Sequence, residues 1–400
     1  MKVNRRDFLK RTGQGAIATT ASGSLAGLLP SSSSASENPK KRVSCPVKFK
    51  HVGWQVGINY QTSSPQGIDF AYLRQLIDRS ADAGMNFISL MMISYAYFCP
   101  EHDGYAWPVK NPKLETLKDA RCLNANLHTE FVSKALNYAK SKGFHCQLMM
   151  NSMIWNPKKV VVNYPQATSQ CYSDGRKVIN GWMFCPDSPG GWQLAIDEVT
   201  DLLEFYSDSP VDSFMFERLG YDRGSCFCPY SKDKFKRDTD TEPAASHLSY
   251  LVWKGNSIRE YLKRYVGLIR EVRPGIEVWA HTGGEPEWGH FPNVLRDVGI
   301  EKVSNHGQHF LPTKKAFHQQ LDWLAPLPCV PHICVRDIPT HNYSVSIRTP
   351  EMIRDYANWL EDYAGEHLAG AMFFNEVRTT EQNKAAVHNI VKRWKKNGTM

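Results

Sequence analysis

Short apolar runs alternate with longer amphipathic stretches along most of the chain. The runs are rich in β-branched, aromatic and methionine side chains, a pattern typical of strands that are buried on both faces of a parallel sheet. The eight runs are His51–Ile58, Asn86–Ile93, Phe144–Met150, Ser213–Glu217, Ile276–His281, Glu301–His306, Cys329–Arg336 and Ala369–Glu376. The sixth run is the weakest match to this pattern.

The stretches between the runs predict helices. Residues 69–85 place Leu73, Leu76 and Ile77 on one face and end near Gly84, and residues 191–206 and 256–272 show a similar period. Strand–helix alternation repeated eight times predicts an α/β protein with one (β/α)8 barrel, also called a TIM barrel. Long loops are expected after the second and third strands, at Ser94–Leu127 and Trp155–Pro189.

The first residues show a different pattern. Two adjacent arginines in "NRRDFLKRTG" precede a weakly apolar stretch and the small-residue run "SSSSAS". This order of regions is typical of an export signal, and the arginine pair indicates the twin-arginine type. We therefore predict a cleaved signal over residues 1–35, a linker over 36–50 and a barrel over 51–400. The protein is expected to be periplasmic or secreted.

The predicted signal also accounts for half of the charge. The formal net charge is +8, and the leader's five basic residues and one acidic residue contribute 5 − 1 = +4. Because the remaining charge is spread along the chain, we predict no nucleic-acid partner. Outside the leader, no apolar run approaches the roughly 18 residues that a membrane span requires. The oligomeric state is not indicated.

The chain contains ten cysteines, and an exported protein can form disulfides. Cys226 and Cys228 are the one closely spaced pair. A disulfide from this pair to Cys185 or Cys171 is one interpretation. A structural zinc site is the other, although the pair alone supplies only two ligands.

Polar residues stand at the ends of the predicted strands. In a (β/α)8 barrel these ends form one mouth, where the chemistry of the fold takes place. Glu217, directly after Phe216, ends the fourth run with a carboxylate that is costly to bury without a function or a partner. Candidates for substrate binding at the other strand ends are Trp54, Asn151, His281, His306, Arg336 and Asn375.

Glycosidic bond cleavage is the chemistry that this predicted mouth suits best. It requires one carboxyl group that protonates the leaving oxygen and a second that acts as nucleophile or activates water. Glu217 is the expected centre. Its candidate partners are Asp337 as first choice, Glu285 or Glu287, and Glu376, with His281 or His306 as an alternative acid or base. The aromatic rings expected to stack on sugars include Trp54, Trp107, Trp155, Trp279 and Trp288.

Three short motifs carry a family resemblance: "MFCPDSPGGW" (183–192), "CFCPYSKDKF" (226–235) and "EHDGYAWP" (101–108). The chain resembles bacterial TIM-barrel proteins of the glycoside hydrolase superfamily, including glycosidase-like and α-L-fucosidase-like members. The resemblance implies a catalytic carboxylate at Glu217 and a substrate-binding loop at His102 and Asp103. The chain differs from the familiar retaining pattern at Phe216 and Asp337, where Asn and Glu are usual.

Other functions stay open. A metal-dependent hydrolase, isomerase or epimerase could use His281, His306, His309, His341, Glu217 and Asp337. A non-catalytic carbohydrate-binding barrel and a polysaccharide lyase are further alternatives. For the preferred glycosidase we predict a carbohydrate substrate, no cofactor and no metal at the active site.

Overall fold

A computed structural model describes most of the chain from Phe49 onward. The described residues are 49–58, 68–94, 104–117, 130–217, 219–222, 225–244, 248–282, 289–305, 313–338, 347–363 and 365–400. The chain divides into the units Met1–Ser44 and Cys45–Met400. The predicted signal and most of the predicted linker lie outside the described residues.

Eight parallel strands form the central sheet. They are β1 His51–Gly57, β2 Phe87–Met91, β3 His145–Asn151, β4 Ser213–Glu217, β5 Glu277–Thr282, β6 Lys302–Asn305, β7 His332–Cys334 and β8 Gly370–Phe374. Their order in the sheet is β6-β5-β4-β3-β2-β1-β8-β7. The ends of this order meet where Val303 in β6 forms a parallel bridge with Cys329, just before β7. The protein is a (β/α)8 barrel, as predicted.

Helices connect the strands. They are α1 Phe70–Ala83, α2 Pro112–Glu115, α3 Phe131–Ser141, α4 Pro157–Asn163, α5 Pro189–Phe205, α6 Pro229–Thr239, α7 Leu248–Val272, α8 Pro292–Asp297, α9 Lys314–Leu324, α10 Pro350–Glu361 and α11 Glu381–Lys396. In α1, the Asp69 carboxylate accepts a hydrogen bond from the Tyr72 N–H at 2.8 Å, and Gly84 ends the helix at φ 97°. None of the described helices is long and apolar enough to cross a membrane.

The loops after β2 and β3 carry short elements of their own. After β2, Ile93–Ser94 pairs antiparallel with Gly104–Tyr105. After β3, α4 is followed by the 3-10 turn Val178–Gly181, and Ser169 pairs antiparallel with Phe184. Both loops follow the carboxyl ends of their strands, so they lie at the barrel mouth.

Two apolar cores pack against opposite faces of the sheet. The outer core lies between the strands and the helices. The inner core fills the barrel with Phe87, Met91, Met149, Met215, Trp279, Val330, Cys334, Met372 and Phe374. At the N-terminal end of the strands, the rings of Phe87 and Trp279 stack with centroids 5.5 Å apart, and His51 and His145 pack edge-on at 4.7 Å. Side chains therefore fill the floor of the barrel.

Gly53 in β1 is required by close packing of the backbone. A Cβ at this position would lie 1.6 Å from the Phe87 carbonyl oxygen. We expect Gly53→Ala to lower the free energy of unfolding by at least about 2 kcal/mol, because a backbone clash cannot relax by a side-chain rotation. Urea unfolding would measure this.

Gly267→Ala is the matched control. Gly267 is exposed on α7, and a Cβ there would meet no atom within 4 Å. Alanine in place of this glycine should raise stability by about 0.5–1 kcal/mol, because glycine loses more backbone entropy in a helix. Equal losses in the two variants would contradict the assignment of Gly53 to a tight strand contact.

Candidate functional site

Three polar residues form a row across neighbouring strands at the barrel mouth. Asn151 at the end of β3 is the register partner of Glu217 at the end of β4, which in turn is the partner of His281 in β5. Side chains alternate along a strand, so these three share a face with Met149, Met215 and Trp279. Those three apolar residues belong to the inner core. Asn151, Glu217 and His281, which we call the lumen row, therefore point into the barrel.

The row continues toward β7. Ser304 in β6 is the register partner of His281. The ring of His332 in β7 packs against His281 with centroids 4.8 Å apart and against Phe374 at 4.6 Å. Sequence reasoning missed His332, although it shares the strand parity of Cys334, which lies in the inner core. The Arg336 guanidinium lies 5.6 Å from the centre of the Phe374 ring, so this predicted residue is also placed beside the row.

The lumen row is buried and polar. Glu217 is 4% exposed and Asn151 is fully buried. Neither atom of the Asn151 side-chain amide has a hydrogen-bond partner among the described residues. A buried amide without a partner costs on the order of 1–3 kcal/mol. A ligand hydroxyl or a water at this position would remove that cost.

Asp337 and Glu376, the predicted partners of Glu217, are engaged in the helix layer instead. Asp337 accepts hydrogen bonds from the backbone N–H of Thr380 at 2.8 Å and from its hydroxyl, at the start of α11. Glu376 is fully buried, pairs with Lys384 at 2.5 Å and accepts a hydrogen bond from the Tyr72 hydroxyl at 2.5 Å. The structure does not bring either carboxylate to the lumen row, because these contacts hold both of them beside α1 and α11.

Four of the predicted sugar-stacking tryptophans are structural. Trp54 is 1% exposed and packs against Phe373 and the His388 ring of α11 on the outer face of the sheet. Trp107 donates to Asp201 at 2.6 Å, Trp155 donates to Glu198, and Trp279 lies in the inner core. The placement of Trp54 at the mouth is corrected, since β1 directs this ring outward to the helices.

Asn375 has a local role. Its side-chain oxygen accepts hydrogen bonds from the backbone N–H groups of Gly57 and Val377, each at 3.3 Å, and so joins the ends of β1 and β8. The remaining candidates lie outside the described residues: His102, Asp103, Glu285, Glu287, Trp288, His306, His309 and His341.

The described part of the mouth does not assemble a metal site. Among described residues, the only group of three or more potential metal ligands is Cys185, Cys226 and Cys228. Glu217, His281 and Asp337 are not brought together as ligands. The lumen row can instead supply a carboxyl group for proton transfer, together with amide and imidazole groups for hydrogen bonding.

A further buried carboxyl, which sequence reasoning missed, supports the two mouth loops. Glu198 on α5 accepts hydrogen bonds from the Tyr105 hydroxyl at 3.1 Å and from the indole N–H of Trp155 at 2.5 Å. Complete burial raises the pKa of this carboxyl to about 8. A glutamate on an amphipathic helix gives no signal for this, since burial depends on which loops cover it.

The raised pKa of Glu198 predicts a pH dependence of stability. Between the unfolded value of about 4.3 and about 8, the folded state holds a proton that the unfolded state has lost, so stability falls as the pH rises. Glu198→Gln keeps an acceptor but cannot ionise. Urea unfolding should therefore show wild type losing about 1 kcal/mol or more relative to this variant between about pH 5 and pH 7. Parallel pH profiles of the two proteins would contradict this prediction.

No protein-family model and no curated protein matches the chain. Solved structures do match it. A β-galactosidase from Bacillus circulans sp. alkalophilus matches with a TM-score of 0.59 and 14% identity, over 88% of this chain and 57% of that one. The PgaB (BpsB) glycoside hydrolase domain from Bordetella bronchiseptica matches with a TM-score of 0.59 and 11% identity, over 86% of this chain and 98% of that one.

The α-L-fucosidase isoenzyme 2 from Paenibacillus thiaminolyticus matches with a TM-score of 0.56 and 12% identity, over 86% of this chain and 49% of that chain. The chain thus spans about half the length of the two longer enzymes and nearly the whole PgaB domain. At these identities the likeness concerns the fold. The chain has the fold of the TIM-barrel glycoside hydrolases.

Proposed function

We propose that this protein is a glycoside hydrolase and that the lumen row is its active site. The observation that carries the proposal is the position of Glu217, a buried carboxyl that ends β4 and points into the barrel between Asn151 and His281. In this fold, residues at the carboxyl ends of strands perform the chemistry. The likeness to solved glycoside hydrolases supports the reaction class.

Glu217 acts in this proposal as the general acid that protonates the glycosidic oxygen. Burial beside the apolar Met215 and Met149 layer limits water around the carboxyl. The Asn151 amide, which has no hydrogen-bond partner among the described residues, and the imidazole of His281 hydrogen-bond sugar hydroxyls. Arg336 and His332 extend this polar surface on the β7 side of the mouth.

The second carboxyl is proposed to come from the sequence that follows β5. Asp337 and Glu376 are bonded to Thr380, Lys384 and Tyr72, so neither is available without breaking those contacts. Glu285 and Glu287 follow the end of β5, next in the sheet to Glu217, and lie outside the described residues. We choose Glu287 as the partner.

The substrate is proposed to be an oligosaccharide or polysaccharide outside the cytoplasm. This rests on the twin-arginine pattern at residues 4–13. Detection of the mature protein in the periplasm or the medium, and its retention in the cytoplasm after Arg5→Lys and Arg6→Lys together, would test the export step.

The reaction is tested by incubating the full chain with chromogenic glycosides and with plant, algal and bacterial glycans. Sugar release by wild type that is lost in Glu217→Gln supports the proposal, and Glu287→Gln tests the assigned partner. Turnover that survives Glu217→Gln would move the centre to another residue. Binding of glycans without turnover would favour a carbohydrate-binding barrel.

A further inference from the structure

Four buried cysteines lie together in the loops that follow β3 and β4. The Sγ atoms of Cys185, Cys226 and Cys228 all lie within 4.8 Å of one another. Cys171 joins them through a hydrogen bond between its thiol and that of Cys226. All four are free thiols. We call Cys171, Cys185, Cys226 and Cys228 the thiol cluster.

The geometry of the thiol cluster suits a tetrahedral metal. A zinc–sulfur bond of about 2.3 Å places two sulfurs of a regular tetrahedron about 3.8 Å apart. The Sγ atoms of the three closest cysteines lie within 4.8 Å of one another, which is compatible with this spacing. Two backbone N–H groups already point at sulfur, from Cys228 to Cys226 at 3.4 Å and from Ser231 to Cys228. Such donors stabilise thiolate ligands.

The two loops are held in register independently of the cysteines. The buried side chain of Gln170 donates to the Gly220 carbonyl and accepts from the Asp222 N–H, each at 2.8 Å. The Phe227 N–H donates to the Cys171 carbonyl, also at 2.8 Å. These contacts hold the ligand-bearing segments together without using the thiols, which lowers the entropy cost of assembling a site.

We propose that the thiol cluster binds one zinc ion as four thiolates and so joins the loops after β3 and β4. Each thiol releases its proton on binding. Four sulfur ligands leave no open coordination position, so the ion holds the loops and does not contact substrate. This inference is independent of the proposed reaction. Export in the folded state would allow zinc uptake in the reducing cytoplasm, where thiols persist.

The test is the metal content of the full chain purified without chelators, measured by elemental analysis and native mass spectrometry. We expect about one zinc per chain, and cobalt substitution should give the thiolate charge-transfer absorption of a tetrahedral sulfur site. Cys226→Ser should lose the metal. Cys171→Ser, a change at the edge of the cluster, should weaken zinc binding by about tenfold or more if the fold is kept.

Cys146→Ser is the matched control. Cys146 is buried away from the cluster, and its thiol already lies near the carbonyl oxygens of Leu136 and Phe144, which a serine hydroxyl can also meet. This variant should keep its zinc. The proposal is overturned if the reduced protein supplied with zinc stays metal-free, if it binds iron instead, or if intact mass shows that the four cysteines form disulfides.

Discussion

Replacing Glu217 with glutamine should lower kcat by about a hundredfold or more on any glycoside that the protein hydrolyses, because the amide cannot transfer a proton. Glutamine has nearly the size of glutamate, so this change removes the transferable proton and leaves the packing of the lumen row largely as it is. The loss should be greater for substrates with sugar leaving groups than for nitrophenyl glycosides. A poor leaving group depends more on protonation.

Asp337→Asn is the control for this loss. This variant also removes one carboxylate near the mouth. In the wild type, however, the Asp337 carboxylate binds Thr380 at the start of α11. We expect activity close to wild type and a loss of about 1 kcal/mol in stability, because the hydrogen bonds to Thr380 become weaker. If Asp337→Asn loses activity and Glu217→Gln keeps it, the centre of the reaction is not the lumen row.

The largest expected effect on stability comes from Lys384→Met. This change leaves the Glu376 carboxylate, which is fully buried, without the ammonium group that pairs with it at 2.5 Å. An uncompensated buried charge typically costs about 3–5 kcal/mol. The free energy of unfolding in guanidinium chloride would measure the loss.

Two further variants separate charge from packing. Glu376→Gln in the Lys384→Met background removes the buried charge and keeps an acceptor for the Tyr72 hydroxyl, so it should restore part of the stability. Arg354→Met breaks the exposed pair with Glu351 on α10 and should cost less than about 1 kcal/mol. Equal losses for Lys384→Met and Arg354→Met would contradict the role assigned to the buried pair.

The barrel could be predicted because its strands and helices bury their apolar residues in simple periods. Each of the eight runs contains a strand, even the weakly apolar sixth, where Lys302–Asn305 forms β6. The end of α1 at Gly84 could be predicted because glycine readily adopts the positive φ angle that ends this helix. The structure of the long loops after β2 and β3 could not be read in this way, since short elements with few apolar residues carry no periodic signal.

The candidate site could be predicted only where the strand itself fixes the side chain. Glu217 and His281 lie inside their strands, so alternation directs them into the barrel. Asp337 and Glu376 come after β7 and β8 have ended, where alternation no longer applies and local hydrogen bonds decide the direction. His332 could have been found from its parity with Cys334 inside β7, whereas the burial of Glu198 depends on loops distant in sequence.

The stacked rings at the N-terminal end of the barrel close the lumen at that end. Phe87 and Trp279 close the axis, and His51 and His145 pack around them. A ligand that reaches Glu217 must enter and leave on the same side. A polymer therefore cannot be threaded through the barrel along its axis.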